Sequence, residues 1–263
     1  MTTNLLPLNS VLNPRELGGM TGFNGRKIKL NRLIRTGTLT YISEADKQFL
    51  QNYGLTTIID LRSKTESKEH PDPQIADVKN ISLPLSDEEG TLGGEQDLSS
   101  GSDLYHSDSQ AAFKMMCDHY RDHAVKAHDQ NTVRQVLKIL AKNEKGAIIF
   151  HCTEGKDRTG FVALFILYTL GVDLETIRQD YLMSNSVLSS YRADRDQKFK
   201  AAGENLIFRS NMRILSSASD MFFDTILLTI EEQYQDIDTY LKEVLGVTPE
   251  LKDRLRELYL EEK

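Results

Sequence analysis

One apolar run of strand length, Ala147-Ile148-Ile149-Phe150, ends abruptly in a polar, glycine-bearing stretch at 151–160. Residues 161–170 then follow, apolar at nearly every position. A strand and a helix of this kind are buried on all sides, so the stretch between them is a loop held rigidly at both ends. Thr56 to Asp60 predicts a second, β-branched core strand, and 77–83, closed by Pro84, a third. Residues 27–30 and 32–35 alternate polar with apolar and predict a small antiparallel ribbon.

Helical periodicity fills most of the rest. Ser43, with Asp46 three residues on, starts a helix that Gly54 stops. Helical patterns follow at 111–126 and 131–142, with Gly146 breaking the chain before the apolar strand. Asp173 caps another helix, and further ones are predicted at 187–200 and 219–234. A helical turn at 240–246 precedes Thr248-Pro249, a cap and first-turn proline that start the last helix. Residues 86–110 are acidic, rich in Gly and Ser and without periodicity, which predicts a flexible flap. With no internal repeat and no boundary beyond the flap, 1–263 reads as a single α/β domain with added helices.

Composition narrows the chemistry. A net charge of −7 argues against nucleic acid and makes any anion site a local positive well in an acidic surface. No apolar run reaches the ~20 residues of a membrane span, which predicts no integral membrane segment. The first ten residues lack a signal-peptide pattern; the expectation is a cytoplasmic protein, or a secreted one whose signal was removed. Two cysteines, Cys117 and Cys152, form no disulfide framework, and Cys117 lies in a helical pattern as a small hydrophobe. None of the six histidines forms a ligand cluster, so no metal and no cofactor are expected.

Arg158 follows Cys152 after five intervening residues, Thr153, Glu154, Gly155, Lys156 and Asp157. In a loop wrapped around an anion, that spacing sets the sulfur beneath the anion and the guanidinium beside it. The intervening residues then offer inward N–H groups above the positive end of the next helix. That field favours the thiolate, the nucleophilic form. Arg158 can grip two phosphate oxygens in parallel, and Thr159 is placed to donate to the sulfur as it departs. The chemistry implied is phosphoryl transfer through a phosphocysteine, with Cys152, Arg158 and Thr159 catalytic. Thr153, Glu154, Gly155 and Lys156 would line the substrate.

The full loop, His-Cys-x-x-Gly-Lys-Asp-Arg-Thr-Gly, resembles that of the atypical bacterial and fungal tyrosine/serine phosphatases, a family that includes phosphoinositide-active members. Other stretches carry the likeness in the family's order: Asn13-Pro14-Arg15-Glu16-Leu17-Gly18-Gly19, Arg35-Thr36-Gly37, Asp60-Leu61-Arg62-Ser63, Asp180-Tyr181-Leu182-Met183-Ser184-Asn185 and 240–246. Pro14 and Glu16 depart from the pattern. The resemblance implies a phosphatase-type α/β core with a mostly parallel sheet flanked by helices, plus extra C-terminal helices. It implies as partners a phosphorylated protein or a phosphoinositide.

Two carboxylates compete for the role of general acid. In the family that this chain resembles the role falls to the Asp before the loop Arg, here Asp157. Beside a bound phosphate its pKa would rise toward the working range. Asp60, at a strand end on the ligand-bearing side of an α/β sheet, is the other candidate, or else orients Arg62 or Arg158 as an ion pair. Arg62 could add to a positive rim, and His151 would tune the thiolate. Tyr120 matches a family tyrosine and reads as core. Lys156 favours substrates with several phosphates, whereas Glu154, unusual at its position, opposes them; singly phosphorylated phosphoinositides and phosphotyrosine are the expected substrates. A rhodanese-like sulfurtransferase would also place a cysteine between strand and helix, but the Gly-Lys-Asp-Arg-Thr-Gly tail speaks against it. An inactive phosphate-binding module would not need Cys152, Asp157, Arg158 and Thr159 together.

Overall fold

A computed structural model describes residues 4–86 and 102–262. Its sheet, among those residues, has the strand order β1-β2-β5-β3-β4. The strands are β1 (Arg15–Glu16), β2 (Leu33–Thr36), β3 (Leu55–Asp60), β4 (Lys79–Ser82) and β5 (Ala147–His151). Only β1 runs antiparallel; β2, β5, β3 and β4 are mutually parallel. Alternation on the central strands sends side chains to two separate cores. Leu33, Ile59, Ile148 and Phe150 enter one, while Ile34, Ile58, Ala147 and Ile149 enter the other. A parallel sheet covered on both faces requires such continuously apolar strands. This is the mixed α/β fold with a mostly parallel sheet that the sequence predicts.

Short helices α1 (Glu44–Asn52) and α2 (Lys64–Glu69) flank β3. Then come α3 (Ser102–Ser107), α4 (Ala111–Val125) and α5 (Ala127–Lys142) before β5, and α6 (Asp157–Thr169) after it. The chain continues through α7 (Leu174–Val187), α8 (Ser189–Ala201), α9 (Leu206–Leu215), α10 (Asp220–Tyr234) and α11 (Pro249–Tyr259). The predicted caps are in place: Ser43 accepts from the Asp46 amide, Asp173 from Thr176 and Thr248 from Leu251. In α6 every residue but Asp157 and Tyr168 is buried, as its uniformly apolar sequence requires.

Three expectations need correction or restriction. The ribbon of 27–30 with 32–35 does not form. β2 instead joins β5 in parallel, because Leu33 and Ile34 are both fully buried and the chain reverses at Asn31, φ +58°. Lys27 and Ile28 make isolated bridges to Thr21 and Leu260. Of the proposed flap, 87–101 lies outside the described residues, but 102–107 is helical. It is tied down by Asn211, whose Nδ2 donates to the carbonyls of Tyr105 at 2.9 Å and Asp108 at 2.8 Å. Helix α9, which the sequence reading left unassigned, is capped by Asn205, whose side chain accepts from the Phe208 amide at 2.8 Å. No helix among the described residues is long and apolar enough to cross a membrane.

Candidate active site

The loop springs from the carboxyl end of β5, where His151 is in register with Thr36 of β2 and Asp60 of β3. Its path depends on Gly155, at φ +66°, where a Cβ would fall 2.3 Å from the Thr36 carbonyl. Only glycine combines that dihedral with that approach. Outside the loop its carbonyls are pinned. Thr153 O accepts from the Thr38 amide at 3.0 Å, and Gly155 O accepts from Asn13 Nδ2 and Arg35 Nη2, each at 2.9 Å. Because C=O and N–H oppose one another across a trans peptide, the N–H groups of Glu154 and Lys156 are turned the other way, into the loop. The positive end of α6 starts at Asp157, and Cys152 is buried at 3% exposure.

Arg35 is itself anchored on Asp180 of α7, which also holds Arg15. Arg35 Nη1 meets one of its oxygens at 2.5 Å and Arg15 Nε the other at 3.2 Å, with all three side chains buried. Burial raises the Asp180 pKa, yet Arg35 and Arg15 outweigh it and hold the carboxyl below its ordinary value. Burial lowers Arg15 to about 10. The sequence stretches around Asn13, Arg35 and Asp180 thus meet beneath one loop.

Arg158 is positioned by a residue the sequence reading passed over. Glu66, in α2, takes a two-pronged hydrogen bond from it, Nη1 to Oε2 at 2.6 Å and Nη2 to Oε1 at 3.0 Å. Thr153 Oγ1 donates to the same Glu66 oxygen at 2.7 Å and accepts from Arg158 at 3.1 Å. Burial would raise Glu66, but the Arg158 hydrogen bond and charge bring its pKa down to about 2. Since that lies below the unfolded value, the pairing stabilises the fold above roughly pH 4.5 and fades only as pH falls toward about 2. The capping box Ser63-x-x-Glu66 was the available signal, because it fixes Glu66 in the first turn just after β3. Glu66→Gln, which keeps the shape and removes the charge, is expected to lower kcat/KM about 10²-fold through a misplaced guanidinium. Steady-state kinetics on an aryl phosphate would test it; an unchanged rate would deny the positioning role.

Asp60 and Arg62 lie together but face one another. Arg62 Nε reaches Asp60 Oδ1 at 2.9 Å and Nη2 reaches Oδ2 at 2.8 Å, and Nη2 also meets Asp72 at 3.0 Å. Arg62 is buried, with Nη1 on Thr38, Thr40 and the His70 carbonyl. Asp72, which carries no sequence signal, accepts from His151 Nε2 at 2.7 Å, while His151 Nδ1 lies 3.1 Å from the Cys152 carbonyl. Burial disfavours a charged His151, but the Asp72 hydrogen bond and the Asp60 and Asp72 charges raise its pKa overall. Asp60, Asp72 and His151 lie close enough together to hold an ion, yet the Arg62 guanidinium already pairs with both carboxylates.

Asp157 sits at the start of α6 with Oδ1 2.5 Å from the Tyr120 hydroxyl and Oδ2 3.5 Å from Lys156. Tyr120 is core, as predicted, but its hydroxyl also touches Tyr181 at 2.8 Å, so Asp157 ends a buried polar chain. Burial raises the Asp157 pKa; Lys156 and Tyr120 oppose this and Glu154 adds to it. Thr159 is fully buried and its hydroxyl has no hydrogen-bond partner among the described residues. Lys156, expected to face substrate, is buried instead: its Nζ donates to the Leu215 carbonyl at 2.5 Å and to Glu154 at 3.2 Å. Glu154 is also met by Arg195 of α8 at 3.0 Å, so it is no bare carboxylate at the rim.

Comparison with known proteins gives this loop its family context. The sequence model of the tyrosine phosphatase family matches residues 6–261. A Cupriavidus necator protein named, provisionally, a tyrosine-protein phosphatase is 28% identical over 244 residues, covering 92% of this chain and 84% of that one. The triple specificity protein phosphatase PtpB of Mycobacterium tuberculosis is 27% identical over 276 aligned positions, covering 94% and 99%. A tyrosine-protein phosphatase of Nostoc commune is 29% identical over 177 residues, covering 65% and 54%. The chain belongs to the tyrosine phosphatase family.

Proposed function

We propose that this phosphatase hydrolyses phosphotyrosine, phosphoserine or phosphothreonine, and phosphoinositide monoesters through a phosphocysteine. What supports the reading is the loop itself, which begins at the buried Cys152 and whose Arg158 fork is held by Glu66. The Cys152 thiolate attacks phosphorus and the bond to the ester oxygen breaks, while Asp157 gives that oxygen its proton. Asp157, now ionised, takes a proton from water as the water oxygen attacks phosphorus. The S–P bond breaks, and phosphate and the thiolate are released. Arg158 and the loop amides hold the oxygens whose charge grows in each step. Thr159, whose hydroxyl has no hydrogen-bond partner among the described residues, is assigned as the donor to the sulfur as it leaves.

The choice of Asp157 over Asp60 rests on burial and on the partners each carboxylate already has. Burial favours the protonated form of Asp157, the form an acid needs. Both oxygens of Asp60 are taken by Arg62. Asp60 therefore serves to position Arg62, and through Asp72 both support His151. The broad substrate range draws on the name of the Mycobacterium tuberculosis relative, which credits that protein with a triple specificity.

Phosphate release from p-nitrophenyl phosphate, phenyl phosphate, phosphotyrosine and phosphoserine peptides and short-chain phosphoinositides tests the reading. Thiosulfate serves as the control for sulfur transfer. Asp157→Asn is expected to slow phenyl phosphate by about 10²–10⁴-fold and p-nitrophenyl phosphate far less, since the latter's leaving group needs little protonation. Asp60→Asn should slow both esters equally. The reverse pattern would move the acid to Asp60, and activity on phosphoserine peptides alone would reject the substrate range.

A further inference from the structure

Beside the catalytic loop two cations converge on one small anion that the chain itself supplies. Glu154 Oε2 lies 3.2 Å from Lys156 Nζ, and Glu154 Oε1 lies 3.0 Å from Arg195 Nη1. Both cations are fixed. Lys156 is buried and held by the Leu215 carbonyl, while Arg195 donates to Ser216 Oγ at 2.9 Å. The Arg195 guanidinium also lies over the rings of Tyr191 and Phe199, 5.6 and 5.7 Å from their centroids. Two anchored cations around a pair of oxygens are the charged donors of a phosphate site. Here a carboxylate occupies it.

We propose that Glu154 fills a second anion subsite next to the catalytic loop, and so restricts the enzyme to substrates bearing a single phosphate. The proposal rests on the phosphatase reading above and adds the substrate class. A carboxylate attached one residue before Gly155 competes intramolecularly, at an effective concentration that a free substrate does not match. A second phosphate entering the subsite would have to displace it, or else sit beside its negative charge. A single phosphate held by Cys152, Arg158 and the loop amides meets neither obstacle. Removing the carboxylate leaves Lys156 and Arg195 without their shared counter-ion and opens the space it filled, which favours a doubly phosphorylated ring over a singly phosphorylated one.

Water-soluble, short-chain phosphatidylinositols with one phosphate, or with two on neighbouring ring carbons, provide the probes. The readout is the ratio of kcat/KM for the bisphosphate to that for the monophosphate. Wild type should give a ratio well below one, and Glu154→Ala should raise it at least about tenfold, the change expected from gaining one charge-assisted contact. Glu154→Gln, which keeps the side-chain volume, should raise the ratio less, and it answers the question if the alanine variant does not fold. Glu154→Ala combined with Arg195→Ala should lose the gain. Parallel changes on both lipids would overturn the proposal and leave Glu154 as a brace between the loop and α8. A wild-type ratio near one would overturn it as well. An enzyme silent on every monoester would sink the phosphatase reading instead. The subsite would then be read by calorimetry of inositol mono- and bisphosphate binding to the same variants, with identical affinities counting against it.

Discussion

Replacement of Cys152 by serine is expected to lower kcat on any phosphate ester on the order of 10⁴-fold or more. The alcohol stays protonated at neutral pH, and nothing within the loop is placed to remove its proton. The cradle should survive the change, because its amides are oriented by Thr38, Asn13 and Arg35 from outside and its guanidinium by Glu66. Vanadate or phosphate binding by calorimetry, together with an unchanged circular dichroism spectrum, separates loss of the nucleophile from loss of the site. Cys117→Ser is the matched control: Cys117 lies on α4, partly buried and packed against the main core, and its loss should leave the rate within about twofold. A serine enzyme that keeps a tenth of the wild-type rate would refute the phosphocysteine route.

The parts of this site that were legible in the sequence are those that local chemistry dictates. A strand apolar up to its last residue, a glycine at a sharp loop and a helix apolar on every side from Phe161 onward could only be β5, the loop after it and α6. Long-range partners left weaker traces. Glu66 lies 92 positions from Arg158, and only its capping box hinted that its place was fixed. Asp72, in a loop of prolines and acids, gave no hint at all. The direction of Lys156 was equally hidden. A lysine two residues before an arginine expected to bind an anion reads as a substrate contact, and only the tertiary placement of Leu215 and Glu154 turns it inward. Helix α9 escaped because Asn211 interrupts its apolar face, although Asn211 is fully buried and satisfies three backbone groups. The ribbon misreading had a simple source: alternation shows that a segment is a half-buried strand, and says nothing of its partner.

Asp180→Asn should destabilise the protein by about 3–5 kcal/mol, the cost of leaving buried charge uncompensated. The amide keeps the volume and can still accept one hydrogen bond, but Arg15 and Arg35 would face one another without a counter-charge at almost no exposure. The pH dependence follows from the sign of the shift. The folded pKa of Asp180 lies below the unfolded one, so its contribution is complete above about pH 4 and is lost as pH falls through the folded value. Urea midpoints of wild type and variant should therefore differ by a constant amount from pH 7 to about pH 5 and converge in stronger acid. Activity should fall with stability, because Arg35 carries the strain from Asp180 to the carbonyls of Gly155 and Lys156, which it holds at 2.9 and 3.3 Å. A variant within 1 kcal/mol of wild type, with its rate intact, would mean that the two arginines find other partners and that the loop does not depend on this carboxylate. A large loss that persists unchanged at low pH would trace the effect to packing. Only a loss that closes in acid and carries the rate with it marks the buried charge as the support on which the phosphate cradle is built.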